Sequence, residues 1–270
     1  MCVAGDVWGV TQLHDVVYLV CWASSTVFSV QPLTISRFSY TTHQRLADID
    51  ATDLRVPFDI VACELTSRVY VADSNCVWRM SPDSEAIKRW LPKSSADTFT
   101  PSTLSVTSTR LLVTSLATHQ LRQFDADGDE LRRVQLPDHM DPLHAVESPT
   151  GTFVVSLDNG QLEQCQIVEV NTGGEVLHQF SGSRLTSLGF TPQHVAVDSH
   201  GNVFVADHDN SRILLLDDHL SLRRVIVDEH QLNYKRPRRL CYREQSGRLL
   251  VGLGDVRYGG LALFHVLCHS

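Results

Sequence analysis

Apolar and polar positions alternate along this chain in short runs, and one phrase recurs about six times. A β-rich run ends in a Val followed by a small or polar pair: Val20-Cys21-Trp22, Val71-Ala72-Asp73, Val113-Thr114-Ser115, Val155-Ser156-Leu157, Val205-Ala206-Asp207 and Val251-Gly252-Leu253. The Val positions lie 51, 42, 42, 50 and 46 residues apart. Self-similarity at that period marks one supersecondary unit copied around an array, because no single copy can bury its apolar face alone.

The fifth copy shows the unit most clearly. Residues 192–198 and 203–207 alternate as two strands around a Ser199-His-Gly-Asn202 turn, and 213–216 and 221–227 follow as a third and fourth. The second copy (57–64, 68–73, 76–79) and the third (101–106, 110–115, 121–124, 130–136) follow the same order. Five units open on a proline: Pro57, Pro101, Pro142, Pro192 and Pro237. Proline fixes φ and lacks an N–H, so it suits the first residue of a strand. Ser148-Pro-Thr-Gly151, Asp125-Ala-Asp-Gly128 and Asn171-Thr-Gly-Gly174 are hairpin turns by composition.

The pattern predicts an all-β fold: one six-bladed β-propeller of four-stranded antiparallel blades spanning residues 1–270. The blades fall at about 5–52, 53–97, 98–138, 139–187, 188–232 and 233–270. Blade six reaches only a third strand before the sequence stops, so residues 1–4 are expected to supply the fourth and cover the edge. Blade one carries extra residues around 30–35, and 83–91 is the one stretch where a turn or two of helix is expected.

Composition narrows the function classes. With 43% hydrophobic residues the chain can build a core, and a net charge of −8 counts against a mainly nucleic-acid-binding surface. The longest apolar stretch, 16–23, is too short to span a bilayer, and no signal peptide is apparent. The seven cysteines stand singly, without a CxxC pair, which favours buried reduced thiols and a cytoplasmic protein over a disulfide framework or zinc–cysteine site.

In blade five, Pro192-x-x-Val-Ala-Val-Asp198, Gly201-Asn-Val-Phe-Val-Ala-Asp207 and Asn210-Ser-Arg-Ile213 together resemble an NHL repeat. The resemblance is strong there and fair in blades two and three. In blades one, four and six the Asp and the Asn-x-Arg are lost. It implies a six-bladed propeller similar to the C-terminal propeller of tripartite-motif proteins, which binds proteins or RNA while an upstream RING domain handles ubiquitin transfer. This sequence has no Cys/His cluster of zinc spacing, so a ligase role would need a RING from elsewhere. NHL-like propellers also include a metal-dependent amidating lyase and are akin to lactonases, and fold alone does not choose among these.

The candidate chemistry is sparse. Asp207 with Asn210 and Arg212 reads as a structural tie for the loop between strands two and three, with Asp73 and Arg79 a degenerate copy. Asp125-Ala-Asp-Gly-Asp-Glu130 has the acidity of a calcium loop, but its Gly is at the fourth position and not the sixth, so a hairpin turn is expected. Two positions after the blade-opening prolines stand Asp59, Thr103, His144, His194 and Arg239, near one mouth of the central channel. Two His and an Asp on one ring have metal-ligand chemistry, but polar residues bonded to water and backbone are the expectation, with no metal and no cofactor. The run Tyr234-Lys-Arg-Pro-Arg-Arg239 is the strongest basic cluster and suits an acidic peptide or a phosphate backbone. No Gly-x-Ser-x-Gly, phosphate loop or His-Glu-x-x-His is present.

The sequence thus predicts a non-catalytic binding propeller for a protein or peptide. The expected contacts are Asp59, His144, His194, Lys235, Arg236, Arg238 and Arg239. An RNA-binding domain and a metal-dependent lyase or lactonase are the alternatives.

Overall fold

The computed structural model describes residues 2–3, 6–22, 34–81, 86–92, 99–158, 165–182, 189–254 and 259–266. The described chain begins with a two-residue strand, β1 (Cys2–Val3). Blade one follows as β2 (Asp6–Leu13), β3 (Val16–Trp22), β4 (Thr34–Ser39) and β5 (Ile49–Asp50). Blade two is β6 (Pro57–Cys63), β7 (Arg68–Asp73), β8 (Val77–Met80) and β9 (Ile87–Leu91). Blade three is β10 (Leu104–Thr107), β11 (Arg110–Ser115), β12 (Gln120–Phe124) and β13 (Glu130–Gln135). Blade four is β14 (Asp141–Glu147), β15 (Phe153–Asp158), β16 (Gln166–Val170) and β17 (Val176–Ser181). Blade five is β18 (Pro192–Val197), β19 (Val203–Asp207), β20 (Arg212–Leu216) and β21 (Leu222–Val227). Blade six is β22 (Arg236–Arg243), β23 (Arg248–Gly254) and β24 (Gly259–His265). All are antiparallel meanders, and they form a six-bladed β-propeller.

The fourth strand of blade six is β1, which pairs antiparallel with β24 through Cys2–Gly260 and Val3–Gly259. The expected closure by the first residues is therefore observed for Cys2 and Val3. Met1 and Ala4 lie outside the described residues, as do 30–33 of the blade-one insertion and 82–85. Residues 87–91 do not form the expected helical turn. They are the outer strand β9, paired with β8, because Trp90 and Leu91 are needed in the apolar seam against blade three.

The core is divided among the seams. One apolar cluster lies between each neighbouring pair of blades, and the seam of blades one and six is filled by Val7, Val10, Val17, Leu19, Phe38 and Leu250. The recurring Val marks the same place in each blade. Val71, Val113, Val155, Val205 and Val251 pair with Ile60, Leu104, Ala145, Val195 and Leu240 and face the seam with the preceding blade. In blade one that place belongs to Leu19, paired with Val10, and not to Val20. The apolar phrase was one residue out of register there, because Leu19 and Val20 are both apolar and both buried.

The register explains what sits on the channel. Five of the six innermost strands carry an irregularity near the start, at Val7/Gly9, Pro57/Asp59, Pro142/His144, Pro192/His194 and Pro237/Arg239. A bulge sets two residues against one and re-aims the side chains beyond it. The residues at this level are Gly9, Asp59, Thr103, His144, His194 and Arg239, one per blade. Their cross-strand partners Ala72, Ser156, Ala206 and Gly252 are small, which leaves room for large polar side chains. Blade one inverts the sizes, with Gly9 opposite Val20.

Candidate functional site: the channel ring and the blade-opening face

The ring residues are buried, not open to the channel mouth: Asp59 is 2%, His144 1%, His194 6%, Thr103 5% and Arg239 8% exposed. Their polar atoms lace neighbouring blades. Asp59 accepts from Ile60 N at 2.9 Å and Leu104 N at 3.0 Å, and its Oδ1 lies 3.4 Å from Arg239 Nε. Arg239 Nη2 donates to Phe58 O at 3.0 Å. Thr103 donates to Leu143 O at 2.9 Å. His144 Nε2 donates to Leu104 O at 3.1 Å, which fixes its tautomer and leaves the Nδ1 lone pair facing Val195 N at 3.4 Å. The imidazoles of His144 and His194 stack with centroids 3.5 Å apart.

Burial dominates the electrostatics. It pushes the Asp59 carboxyl up to about 6, against the opposing pull of Arg239 and the backbone N–H groups. It lowers His144 to about 3 and His194 well below the usual imidazole value, so both rings are neutral. The same desolvation lowers Arg239. Behind the ring lies a cavity of about 210 Å³, lined by Asp59, His144 and His194 and by residues further along the innermost strands, such as Gln12, Glu147 and Arg243.

The basic run divides between two environments. Arg236–Arg239 forms the start of β22, and the irregularity after Pro237 turns Arg239 inward. Arg236 is exposed and 3.4 Å from Asp209; Arg238 lies 3.5 Å from Asp6, over the Trp8 ring at 5.6 Å. Lys235 is half-buried at the end of the preceding loop. Of the seven expected contacts, three are on the blade-opening face and four form the buried ring beneath it.

Apart from Arg238, the sequence reading passed over the residues just before the ring positions. Trp8, Phe58, Leu143, Gln193 and Arg238 are half-buried, and Trp8 contacts both Phe58, at 6.3 Å between centroids, and Arg238. The repeated proline was the available signal, since proline within a sheet marks a strand start or a bulge. Beside them Tyr234 is 64% exposed, on a turn where Asn233 and Tyr234 both have positive φ (52° and 58°). Its hydroxyl meets His230 Nδ1 at 2.8 Å.

The remaining motifs are structural. Asp207 accepts from Thr191 N, Asn210 Nδ2 and Arg212 Nε at 3.1, 2.9 and 2.7 Å, which ties the strand-two to strand-three loop. Asp73 plays the same part through Asn75 N, Cys76 N and the Trp78 indole at 2.8, 2.8 and 2.7 Å. Arg79 is not its partner and bonds Ala126 O instead. Asp125 accepts from Asp127 N and Asp129 N in a hairpin turn.

No family model matches the sequence, and no curated protein matches it. Solved structures share the fold. A gluconolactonase from Xanthomonas campestris aligns at TM-score 0.68 and 13% identity, covering 97% of this chain and 87% of the other. A propeller from a nidogen/laminin complex aligns at TM-score 0.60 and 13% identity over 84% and 81%. A catalytically inactive virginiamycin B lyase from Staphylococcus aureus, with quinupristin, aligns at TM-score 0.60 and 12% identity over 98% and 99%. Binding and enzymatic proteins thus both share this fold. Among the described residues no helix is long and apolar enough to cross a membrane. At these identities the likeness is one of architecture: the chain is a six-bladed β-propeller.

Proposed function

We propose that this chain is a non-catalytic binding propeller that takes an acidic segment of a protein or peptide on its blade-opening face. One observation carries the reading: Tyr234 is held outward on a left-handed turn beside Lys235, Arg236 and Arg238, with the Trp8–Phe58 pair next to Arg238. Non-Gly residues in that backbone region concentrate at functional sites. Aromatic side chains and Arg are the residues that carry most binding energy at interfaces. The titratable ring beneath is tied mainly to backbone of other blades, so it acts as a rigid floor rather than a set of free reactive groups. The NHL resemblance supports the same class of partner, including a substrate of a ubiquitin-ligase system whose RING lies in another segment or chain.

The test is charge reversal. Partners captured by crosslinking with the wild-type chain are re-measured with Lys235→Glu/Arg236→Glu/Arg238→Glu and with Tyr234→Ala. Affinity is expected to fall at least tenfold in each. Unchanged binding to every partner would overturn the face assignment. The RNA reading predicts instead a steep loss of binding between low and physiological salt with nucleic acid as the ligand.

A further inference from the structure

We infer that the outer rim between blades four and five is a zinc site, held by Glu169 and His178 of blade four and His219 of blade five. Glu169 on β16 and His178 on β17 are direct cross-strand partners, and Glu169 Oε2 lies 3.9 Å from His178 Nε2. His219 comes from the turn between β20 and β21. Asp217 Oδ1 fixes that turn by accepting from His219 N at 3.0 Å and Ser221 N at 2.8 Å.

The rings of His178 and His219 meet across the seam with centroids 5.1 Å apart and planes at 66°. Two imidazoles on one four-coordinate ion, each nitrogen about 2.0–2.1 Å from it, have their ring centres about 5 Å apart. The spacing of the two rings is therefore already that of a shared ion. Their side chains are 41% and 68% exposed, so small rotations bring the nitrogens onto it. The channel pair His144–His194 meets neither condition, with its rings stacked at 3.5 Å and both His144 nitrogens engaged.

The charges around the pair are a separate observation. The hydrogen bond to Asp218 raises the His219 pKa most, and the charges of Asp218, Asp217 and Glu169 add to it. Carboxylates from two blades thus set a negative field at one exposed imidazole, which Arg223 partly offsets at Asp218. The supporting shell also fits. Metal-ligating histidines typically donate the other ring N–H to a carbonyl or carboxylate. His219 Nδ1 lies 2.9 Å from Asp218 Oδ1, which leaves the Nε2 lone pair for the ion. Glu169 Oε1 accepts from Thr152 Oγ1, which leaves Oε2. Two nitrogens and one carboxylate favour zinc over calcium or magnesium, which take all-oxygen sets, and water completes the four-coordinate set.

The experiment strips the full chain with a chelator and titrates it with Zn2+ in a calorimeter. We expect one zinc bound per chain, a raised melting temperature because the ion joins two blades, and the intense visible bands of a four-coordinate site with Co2+. Calcium and magnesium should shift the melting temperature in neither direction. His178→Gln and His219→Gln should each weaken zinc binding more than tenfold. Asp218→Asn, which removes only the support of His219, should weaken it by about tenfold. His139→Gln and His200→Gln, at exposed imidazoles elsewhere, should leave it unchanged. No zinc uptake and no thermal shift in the wild-type chain would overturn the inference. So would zinc bound as tightly by the His178→Gln/His219→Gln double variant as by the wild type, since the ion would then sit elsewhere.

Discussion

Arg239 and Asp59 pair across an intervening blade. The guanidinium leaves blade six, bypasses blade one, and meets the carboxylate and the Phe58 carbonyl of blade two. Both partners are buried. Removing one leaves the other as an uncompensated buried charge, at a cost of about 3–5 kcal/mol. Arg239→Met should therefore destabilise the protein by about that much in denaturant unfolding, and adding Asp59→Asn should recover part of the loss. Strictly additive single-variant effects would deny the pairing.

Gly9 lets blade one lie close against blade two. A Cβ at this position would stand 2.7 Å from Ile60 Cγ2 and 2.8 Å from Ile60 N. Gly9→Ala should cost about 1–3 kcal/mol, the usual range for overpacking. Val20→Ala should not rescue it, although Val20 is the residue directly opposite, because the clash is with blade-two backbone. A rescue measured by chemical denaturation would mean that the two blades can separate.

Asp207 is fully buried, and among the described residues Arg212 is the one cation bonded to it. Asp207→Ala should cost about 3–5 kcal/mol by stranding that guanidinium. In Asp207→Ala/Arg212→Leu the loss should shrink. At Asp73 the third partner is the neutral Trp78 indole, so Asp73→Ala strands no charge and should cost less than Asp207→Ala. Equal costs in thermal or denaturant unfolding would remove this distinction.

The thiols give a readout that needs no partner. Burial pushes Cys21 and Cys76 up to about 12 and raises Cys241 as well, so their reactive thiolate is scarce at neutral pH. At pH 8 iodoacetamide should label Cys165, which is half-buried, well before these three, and the gap should narrow as pH rises. Uniform labelling of the native chain, followed by peptide mass spectrometry, would show that the seams of blades one, two and six open readily.

Much of the fold was legible because the repeat is written in residues that every blade needs. The Val facing the preceding seam and the proline at the strand start are packing and backbone requirements, and they recur. The site was legible only in outline. Counting two residues from Pro57, Pro142, Pro192 and Pro237 found the ring level correctly. That count could not show which side of the bulge faces outward, so Arg239 was grouped with Arg236 and Arg238 although it points inward. Trp8 and Phe58 were missed because an aromatic at a strand start reads as core until the local kink is known. The exchange of Gly9 for a polar residue in blade one was hidden by the lack of an opening proline there.

The pairing of β1 with β24 has a consequence for how the molecule assembles. Blades one to five are each made of consecutive strands, so each can form as soon as its own stretch leaves the ribosome. Cys2 and Val3 are made long before their partners Gly260 and Gly259. Among the strand pairings of the described residues that contact closes the longest loop, although the entropy cost grows only slowly with length. Shutting the ring is therefore a late, single event, and until it occurs the edge of β24 and the apolar wall of Val7, Val10 and Leu19 face solvent or a chaperone.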